Sequence, residues 1–326
     1  MKKHQFGMIG EVSRLTLGGG GIGQVWGPTS REEGIATLRM AVDEGIDLID
    51  AAPGYKICEA LIGEAFEGRV PEGVEVTTKC GIGPIPDDQV YPRFRASLEA
   101  SLKAMRLERV DLFFLHNQIC ADDFVYPAEN ERRFEIATSW SSYRDAVVPA
   151  FERLRREGLI GGWGITGVSV PETILDALAH TPRPDAVQAV ANLMDSPGGL
   201  TGLRTPSRSR EIIASAHTNG VGVMAIRAVQ AGALTNSFDR ELRADDRDME
   251  DFRRAAPFRD LCARWGADPA IIAHRYALGM AGVETLVLGV KNRDELADAL
   301  GAEREGPLEP AQIAAIDGLG LARLAA

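Results

Sequence analysis

The sequence predicts a single α/β domain over residues 1–326: a (β/α)8 TIM barrel with an N-terminal β-hairpin cap and long loops at the C-terminal mouth. Three observations carry this expectation. Short apolar runs alternate with longer stretches of helical period about eight times. No linker rich in Pro, Ser or Gly divides the chain. Its 326 residues also suit one barrel, a fold that typically takes about 250 residues. Alternating strands and helices imply parallel strands covered by helices, and eight such units close on themselves.

The expected strands are Leu15–Leu17, Leu48–Ile49, Val74–Thr78, Val110–Leu115, Gly162–Ile165, Ala186–Val190, Val221–Ile226 and Thr285–Leu288. The expected helices are Glu32–Glu44, Cys58–Phe66, Tyr91–Met105, Tyr143–Glu157, Glu172–Ala179, Ser209–His217, Ala270–Leu278 and Asp294–Leu300, with an additional amphipathic piece at Pro257–Trp265. Ser30 is placed to cap the first helix, with Glu33 as its reciprocal partner. Gly158 closes the helix that ends Arg155-Arg156-Glu157, and Pro269 and Pro310 fit first helical positions after Asp268 and Glu309. Ahead of the first barrel strand, Phe6–Met8 and Glu11–Ser13 flank a glycine and are expected to form a hairpin across the barrel floor.

Composition narrows the class. Hydrophobic residues make up 45% and charged residues 25%, as in an ordinary soluble enzyme. The net charge of −11 repels a phosphate polymer, so nucleic acid is not an expected partner. Cys58, Cys80, Cys120 and Cys262 form no metal-type pairs and read as free thiols in a reducing, cytoplasmic setting. The sequence contains no apolar window of membrane-spanning length and no signal-peptide core. Oligomeric state is not legible.

Two connections are too long for simple turns. Asn117–Ser142 contains Phe124, Tyr126, Phe134 and Trp140, and Ala228–Ala256 is dense in charge. Loops after barrel strands surround the catalytic mouth, so the aromatic residues are candidates for a substrate wall together with Trp26. A local core under the loop is the alternative. The run Gly18-Gly19-Gly20-Gly21-Ile22-Gly23 matches the dinucleotide fingerprint of a Rossmann fold. That fingerprint needs a helix beginning at the glycines, whereas Gln24-Val25-Trp26-Gly27-Pro28-Thr29 intervenes before any helical period. The run is therefore read as a flexible mouth loop carrying Trp26 toward the pocket.

Four polar residues fall at or just beyond successive expected strand ends: Asp50, Tyr55, Lys79 and His116. Strand ends on one rim converge, so the four share a cavity if the barrel closes. Each alone is a weak signal, since a strand-terminal Lys is usually a solvated rim charge.

Their order and setting resemble the tetrad of the aldo-keto reductase superfamily, and the resemblance runs over nearly the whole chain. Leu48-Ile49-Asp50-Ala51-Ala52-Pro53-Gly54-Tyr55, Thr77-Thr78-Lys79-Cys80-Gly81, Asp111-Leu112-Phe113-Phe114-Leu115-His116, Gly162-Trp163-Gly164-Ile165-Thr166-Gly167 and Val287-Leu288-Gly289-Val290-Lys291 carry it. Thr-Lys-Cys-Gly and Gly-Ile-Thr-Gly look most like the aldose (galactose- or fucose-type) dehydrogenase branch.

The resemblance implies an oxidoreductase that interconverts an aldehyde, ketone or sugar lactone with the alcohol or aldose. Hydride addition builds negative charge on oxygen, which an acid must quench. Free Tyr titrates near about 10 and is a poor proton donor at neutral pH. A Lys79 ammonium favours tyrosinate and eases the exchange, Asp50 holds Lys79, and His116 orients the carbonyl. No metal is needed.

The implied cofactor is a nicotinamide. Thr166 and Gln188 are its expected carboxamide ligands, with Asn192 nearby. Gly289, Lys291, Arg293 and Glu295 lie at the adenosine end. Lys291 and Arg293 at a helix start suit a 2′-phosphate, so NADP(H) is the preferred cofactor and NAD(H) the alternative. Ordinary solvated cations are the plainer reading of both.

Three positions depart from the family pattern. Ile226 stands where an aromatic residue stacks on the nicotinamide, Gly167 where an Asn is usual, and Ala299 where another Asn is expected. Arg227 is a candidate contact for the pyrophosphate. Two rival functions remain, a Schiff-base lyase or aldolase using Lys79 and a non-catalytic nicotinamide-sensing barrel.

Overall fold

The computed structural model describes residues 1, 3–127, 135–203, 205–238 and 240–322. Phe134 of the first long loop lies outside them.

The chain opens with a hairpin, β1 (Lys3–Phe6) and β2 (Gly10–Ser13), paired antiparallel from Lys3↔Ser13 to Phe6↔Gly10. Its first strand starts earlier than the sequence predicts. Gly7 takes a left-handed φ of +50°, which turns the chain immediately after Phe6.

Eight parallel strands follow: β3 (Leu15–Gly18), β4 (Leu48–Asp50), β5 (Glu75–Cys80), β6 (Val110–Leu115), β9 (Ile160–Thr166), β10 (Ala186–Val190), β11 (Gly222–Ile226) and β12 (Thr285–Leu288). They close in chain order, with β12 pairing back onto β3 through Leu286↔Leu15 and Leu288↔Leu17. Every strand expected from the apolar runs is present. The closed barrel excludes the open Rossmann sheet.

The hairpin seals the barrel floor. Phe6 is fully buried among Val12, Leu48, Leu112, Phe114, Ala186 and Met224. A Cβ at Gly222, where β11 begins, would sit 2.6 Å from the Phe6 ring, so the missing side chain makes room for the plug. Burying such a ring contributes about 2–3 kcal/mol.

The covering helices follow their sequence signals. The helix α2 (Arg31–Asp43) has Ser30 as its N-cap, whose hydroxyl accepts from the Glu33 N–H at 3.1 Å. The Glu33 side chain, however, does not return to Ser30, so only half of the expected capping box forms; its carboxylate goes to Arg293. Next come α3 (Cys58–Ala65) and α4 (Asp87–Met105). The latter begins four residues before the expected start, because Asp87 and Asp88 suit the positive end of the helix and Pro92 is accommodated within it.

The segment expected as one helix from Tyr143 is a π-turn over Tyr143–Val147, preceded by the short α5 (Trp140–Ser142) and continued by α6 (Val148–Arg156). Gly158, at φ +76°, lets the chain leave α6 in the left-handed region. The helices α7 (Pro171–Ala179), α8 (Ser209–Thr218), α9 (Arg247–Arg254), α10 (Ala256–Trp265), α11 (Pro269–Gly279), α12 (Arg293–Glu305) and α13 (Pro310–Asp317) complete the layer. Glu309 and Gln312 form the full reciprocal cap at the start of α13.

Both long connections hold more structure than the sequence predicts. The first contains β7 (Gln118–Cys120) and β8 (Ala137–Ser139), paired in parallel. The second contains α9, capped by Asp246 onto the Asp248 N–H at 2.8 Å. The sequence Arg-Asp-Met-Glu-Asp-Phe-Arg-Arg conceals this helix, because it buries the carboxylate of Asp251 rather than an apolar stripe. That carboxylate accepts from Ser196, Gln230 and Arg254.

The glycine run is not a flexible loop, contrary to the sequence expectation. Gly19–Ile22 forms one helical turn, α1, and is buried throughout. A Cβ at Gly19 would lie 2.1 Å from the Cys58 sulfur, at Gly21 2.1 Å from the Val290 carbonyl oxygen, and at Gly23 2.2 Å from the Tyr55 carbonyl oxygen. These glycines allow backbone to pack against the site.

Candidate active site

Three neighbouring strands deliver the polar cluster. Asp50 is the last residue of β4, Lys79 the penultimate residue of β5, and His116 the first residue past β6. Tyr55 sits on the 3-10 turn Pro53–Tyr55 after β4, where its N–H donates to the Ala52 carbonyl at 2.9 Å.

The side chains meet as the spacing predicts. Lys79 Nζ donates to Asp50 Oδ2 at 2.6 Å and to the Ala51 carbonyl at 2.9 Å; neither side chain is more than 2% exposed. The same ammonium lies 4.6 Å from the centroid of the Tyr55 ring. Tyr55 and His116 face each other edge-on, with centroids 6.0 Å apart. The other Asp50 oxygen, Oδ1, accepts from Thr77 Oγ1 at 2.8 Å and from Gln188 Nε2 at 2.7 Å. Thr77 is the register partner of Asp50 across β4 and β5, which explains its reach. Sequence reasoning does not single out Thr77, although its placement two residues before Lys79 puts it on the same face of β5.

Electrostatics fix the protonation states. Burial works against the Lys79 ammonium, but Asp50 and Tyr55 outweigh it and hold the group above its ordinary range. Burial pushes the Tyr55 phenol up, and the pull of Lys79 only partly reverses this. The sequence leads one to expect Lys79 to ease the phenol toward tyrosinate. Desolvation wins, and Tyr55 remains a protonated donor at neutral pH. His116 opens onto the mouth, yet burial first and the Lys79 charge second press its pKa to about 4, so its imidazole is neutral.

The proposed cofactor residues divide into two groups. Thr166, the last residue of β9, and Gln188, the middle residue of β10, are register partners side by side. Thr166 Oγ1 donates to the Leu115 carbonyl at 3.0 Å. Gly289 is exposed just past β12, and α12 begins at Arg293 with Asn292 as its N-cap. A paired amide and hydroxyl at one end, with a bare glycine backbone and a helix N-terminus at the other, fit a nicotinamide dinucleotide.

Asn192 has a different setting. It is fully buried; its amide nitrogen donates to Ser196, Arg227 and Gln230, and its oxygen accepts from the N–H groups of Met194 and Ser196. That full set of bonds makes it an organiser of the loop after β10. Arg227, at φ +63°, forms a two-pronged pair with Asp248 at 2.9 and 3.0 Å and donates to the Pro197 carbonyl, while its Nε is buried without a partner. Lys291 pairs with Glu295 at 3.2 Å, and Arg293 donates to Glu33 through its backbone N–H, Nε and Nη2.

One of the departures has a local cause. The Gly167 N–H donates to the Gln188 carbonyl at 2.8 Å, and a Cβ there would meet Val187 at 2.7 Å. An Asn at 167 would displace the strand that carries Gln188. Ala299 is buried in α12, and Ile226 is the half-buried end of β11.

The aromatic wall is likewise divided. Phe124 and Tyr126 stack edge-on at 4.9 Å, and the Tyr126 hydroxyl donates to Gln118 at 2.8 Å. Tyr126 shares a small core with Cys120, Ala137, Val170 and Leu203, against which Phe124 packs. These two residues build a small core under the loop. Trp140 stacks on Tyr143 at 5.5 Å and meets His180 at 5.9 Å. Trp26, 38% exposed, has its indole nitrogen 3.8 Å from the position of a Cβ on Gly289. That places it beside the proposed dinucleotide path.

A closed parallel barrel whose mouth joins a phenol, an ammonium–carboxylate pair and an imidazole defines the oxidoreductases that move hydride to and from carbonyl carbon. The chain belongs to the aldo/keto reductase family, whose model matches residues 14–320. Among its relatives is L-galactose dehydrogenase of Arabidopsis thaliana, 23% identical, with the match covering 90% of this chain and 85% of that protein. Another is the NADH-specific methylglyoxal reductase of Escherichia coli (strain K12), 26% identical over 71% of this chain and 68% of that protein. The holo form of an aldo-keto reductase from Bacillus halodurans superposes with a TM-score of 0.70 at 20% identity, covering 98% of this chain and 96% of that one. The protein is an oxidoreductase with relatives in the aldose dehydrogenase branch. No described helix is long and apolar enough to cross a membrane.

Proposed function

We propose that the protein interconverts an aldehyde, ketone or sugar lactone with the corresponding alcohol or aldose, using a nicotinamide dinucleotide and Tyr55 as general acid/base. The observation that carries this reading is the buried Lys79 ammonium, held by Asp50 at 2.6 Å and lying 4.6 Å from the Tyr55 ring. When bound, the dinucleotide supplies or accepts the hydride.

The chain does the rest. Neutral His116 donates to the substrate oxygen and orients it, and Tyr55, kept protonated by burial, gives up its proton as charge develops there. Lys79 stabilises the phenolate left behind, and Asp50 fixes Lys79 with Thr77 and Gln188 as struts. The Thr166–Gln188 pair holds the carboxamide, a role supported by their pairing across β9 and β10, and Trp26 flanks the dinucleotide. In the oxidative direction the same groups run in reverse. The polar, partly aromatic mouth and the L-galactose dehydrogenase relative support a small polar carbonyl or sugar as substrate.

A Schiff-base role is disfavoured by the same geometry, because a lysine held as ammonium by a buried carboxylate has no lone pair to offer. Four buried free cysteines agree with a reducing, cytoplasmic setting. The test is nicotinamide fluorescence titration with both reduced cofactors, followed by turnover on a panel of carbonyls and sugars. Binding of neither cofactor, or binding without turnover on any carbonyl, lactone, alcohol or aldose, overturns the reading.

A further inference from the structure

Lys291 and Arg293 are the two cations that suit a 2′-phosphate at the adenosine end, and each already has a carboxylate. Glu295 accepts from the Lys291 N–H at 2.9 Å and pairs with its ammonium at 3.2 Å. Glu33 accepts from Arg293 three times: from the backbone N–H at 2.9 Å, from Nε at 3.1 Å and from Nη2 at 3.0 Å. The backbone contact is the telling one. Arg293 is the first residue of α12, and its N–H is one of the free donors with which a helix N-terminus binds an anion. Glu33 places a carboxylate where a phosphate oxygen would otherwise go.

Glu33 is also held in that place. Its own backbone N–H is tied to the Ser30 hydroxyl at 3.1 Å in the first turn of α2, where the helix dipole favours negative charge. Its side chain gives up the reciprocal cap on Ser30 to reach 260 residues along the chain to Arg293. The carboxylate is 26% exposed and the guanidinium 55% exposed, so the pair stands at the surface.

Resting on the reading of this barrel as a nicotinamide enzyme, we infer that Glu33 is a cofactor-specificity residue that disfavours the 2′-phosphate. The free 2′-hydroxyl of NAD(H) can donate to a carboxylate, whereas a 2′-phosphate brings like charge to it and must compete for the same Arg293 donors. The protein therefore favours NAD(H), reversing the preference drawn from the two cations alone. The sequence does not reveal this, because Glu33 lies on the first barrel helix and its carboxylate is otherwise accounted for as a capping residue.

The experiment measures dissociation constants for NADH and NADPH by fluorescence in the parent, Glu33→Gln, Arg293→Leu and the double variant, with thermal melting to verify folding. The parent is expected to bind NADH more tightly. Glu33→Gln, which keeps the shape and removes the charge, should raise relative affinity for NADPH by about tenfold, the scale of one close charge pair at a surface. Adding Arg293→Leu to Glu33→Gln should abolish that gain. A parent that favours NADPH, or an unchanged NADPH-to-NADH ratio in folded Glu33→Gln that still binds both, overturns the inference and leaves the enzyme reading intact. Binding of neither dinucleotide by the parent overturns both.

Discussion

Gln188 donates to Asp50 at 2.7 Å from the strand diametrically opposite, since β10 and β4 are four places apart around the eight-stranded barrel. One amide thus links the proposed carboxamide ligand to the carboxylate that holds Lys79. Gln188→Leu removes this strut and the proposed carboxamide contact together. We expect turnover to fall by about tenfold to a hundredfold, the scale of one lost hydrogen bond to a charged group, with weaker nicotinamide binding. Unchanged kinetics would show that Thr77 and Lys79 fix Asp50 unaided.

Tyr55→Phe retains the ring that packs beside Lys79 and His116 and deletes only the hydroxyl. Turnover should drop at least about a hundredfold while dinucleotide affinity survives. A Phe variant as active as the parent removes Tyr55 from the chemistry.

Lys79→Met leaves Asp50 charged and buried without its counter-ion. Breaking a pair of this kind costs about 3–5 kcal/mol, and chemical denaturation should register a loss on that scale. The double change Lys79→Met with Asp50→Leu should recover much of the stability but none of the activity. No recovery would mean that Asp50 stabilises the barrel in its own right, through the pair or through its bonds to Thr77 and Gln188.

His116 has a folded-state pKa of about 4 against an ordinary 6.5, and His274 is likewise pressed to about 4 by burial. Between those values the unfolded chain binds more protons than the folded one. The stability contributed by these two neutral imidazoles is therefore fully present above pH 6.5 and is lost as pH falls toward 4. Melting temperatures from about pH 7.5 to about pH 4.5 should show this slope, and His116→Gln should make it shallower, with His274 keeping the remainder. Identical slopes in the two proteins would place the titration elsewhere.

Arg227→Ala removes the two-pronged pair to Asp248 and the donor to Pro197. If the unpartnered Nε and the loops gathered by this guanidinium help seat the pyrophosphate, the dissociation constant for either dinucleotide should rise severalfold, with bound-state turnover little changed. An unchanged constant confines Arg227 to holding α9.

The barrel was legible because strand and helix periods are local, and each apolar run from Leu15 to Leu288 became a strand. The tetrad was legible because strand ends in a closed barrel converge. What escaped was decided by side-chain partners that leave no period in the sequence. The α9 helix rests on Arg227 and on the polar bonds of Asp251, neither of which leaves a hydrophobic period. Asn192, Phe124 and Tyr126 have the residue types of a binding site, yet their hydrogen bonds and packing serve the loops. The phenol of Tyr55 went the other way from expectation, because proximity to Lys79 can be inferred from spacing whereas the depth of burial cannot.

The small core of Cys120, Tyr126, Ala137, Val170 and Leu203 draws its members from separate excursions at the rim: the β7–β8 segment, the approach to α7 and the stretch after β10. Those segments share one set of packed side chains, so none can be exchanged without disturbing the others. Substitutions meant to redirect substrate choice should therefore combine non-additively across the three, and variants retuned at one of them will need compensating changes in its neighbours.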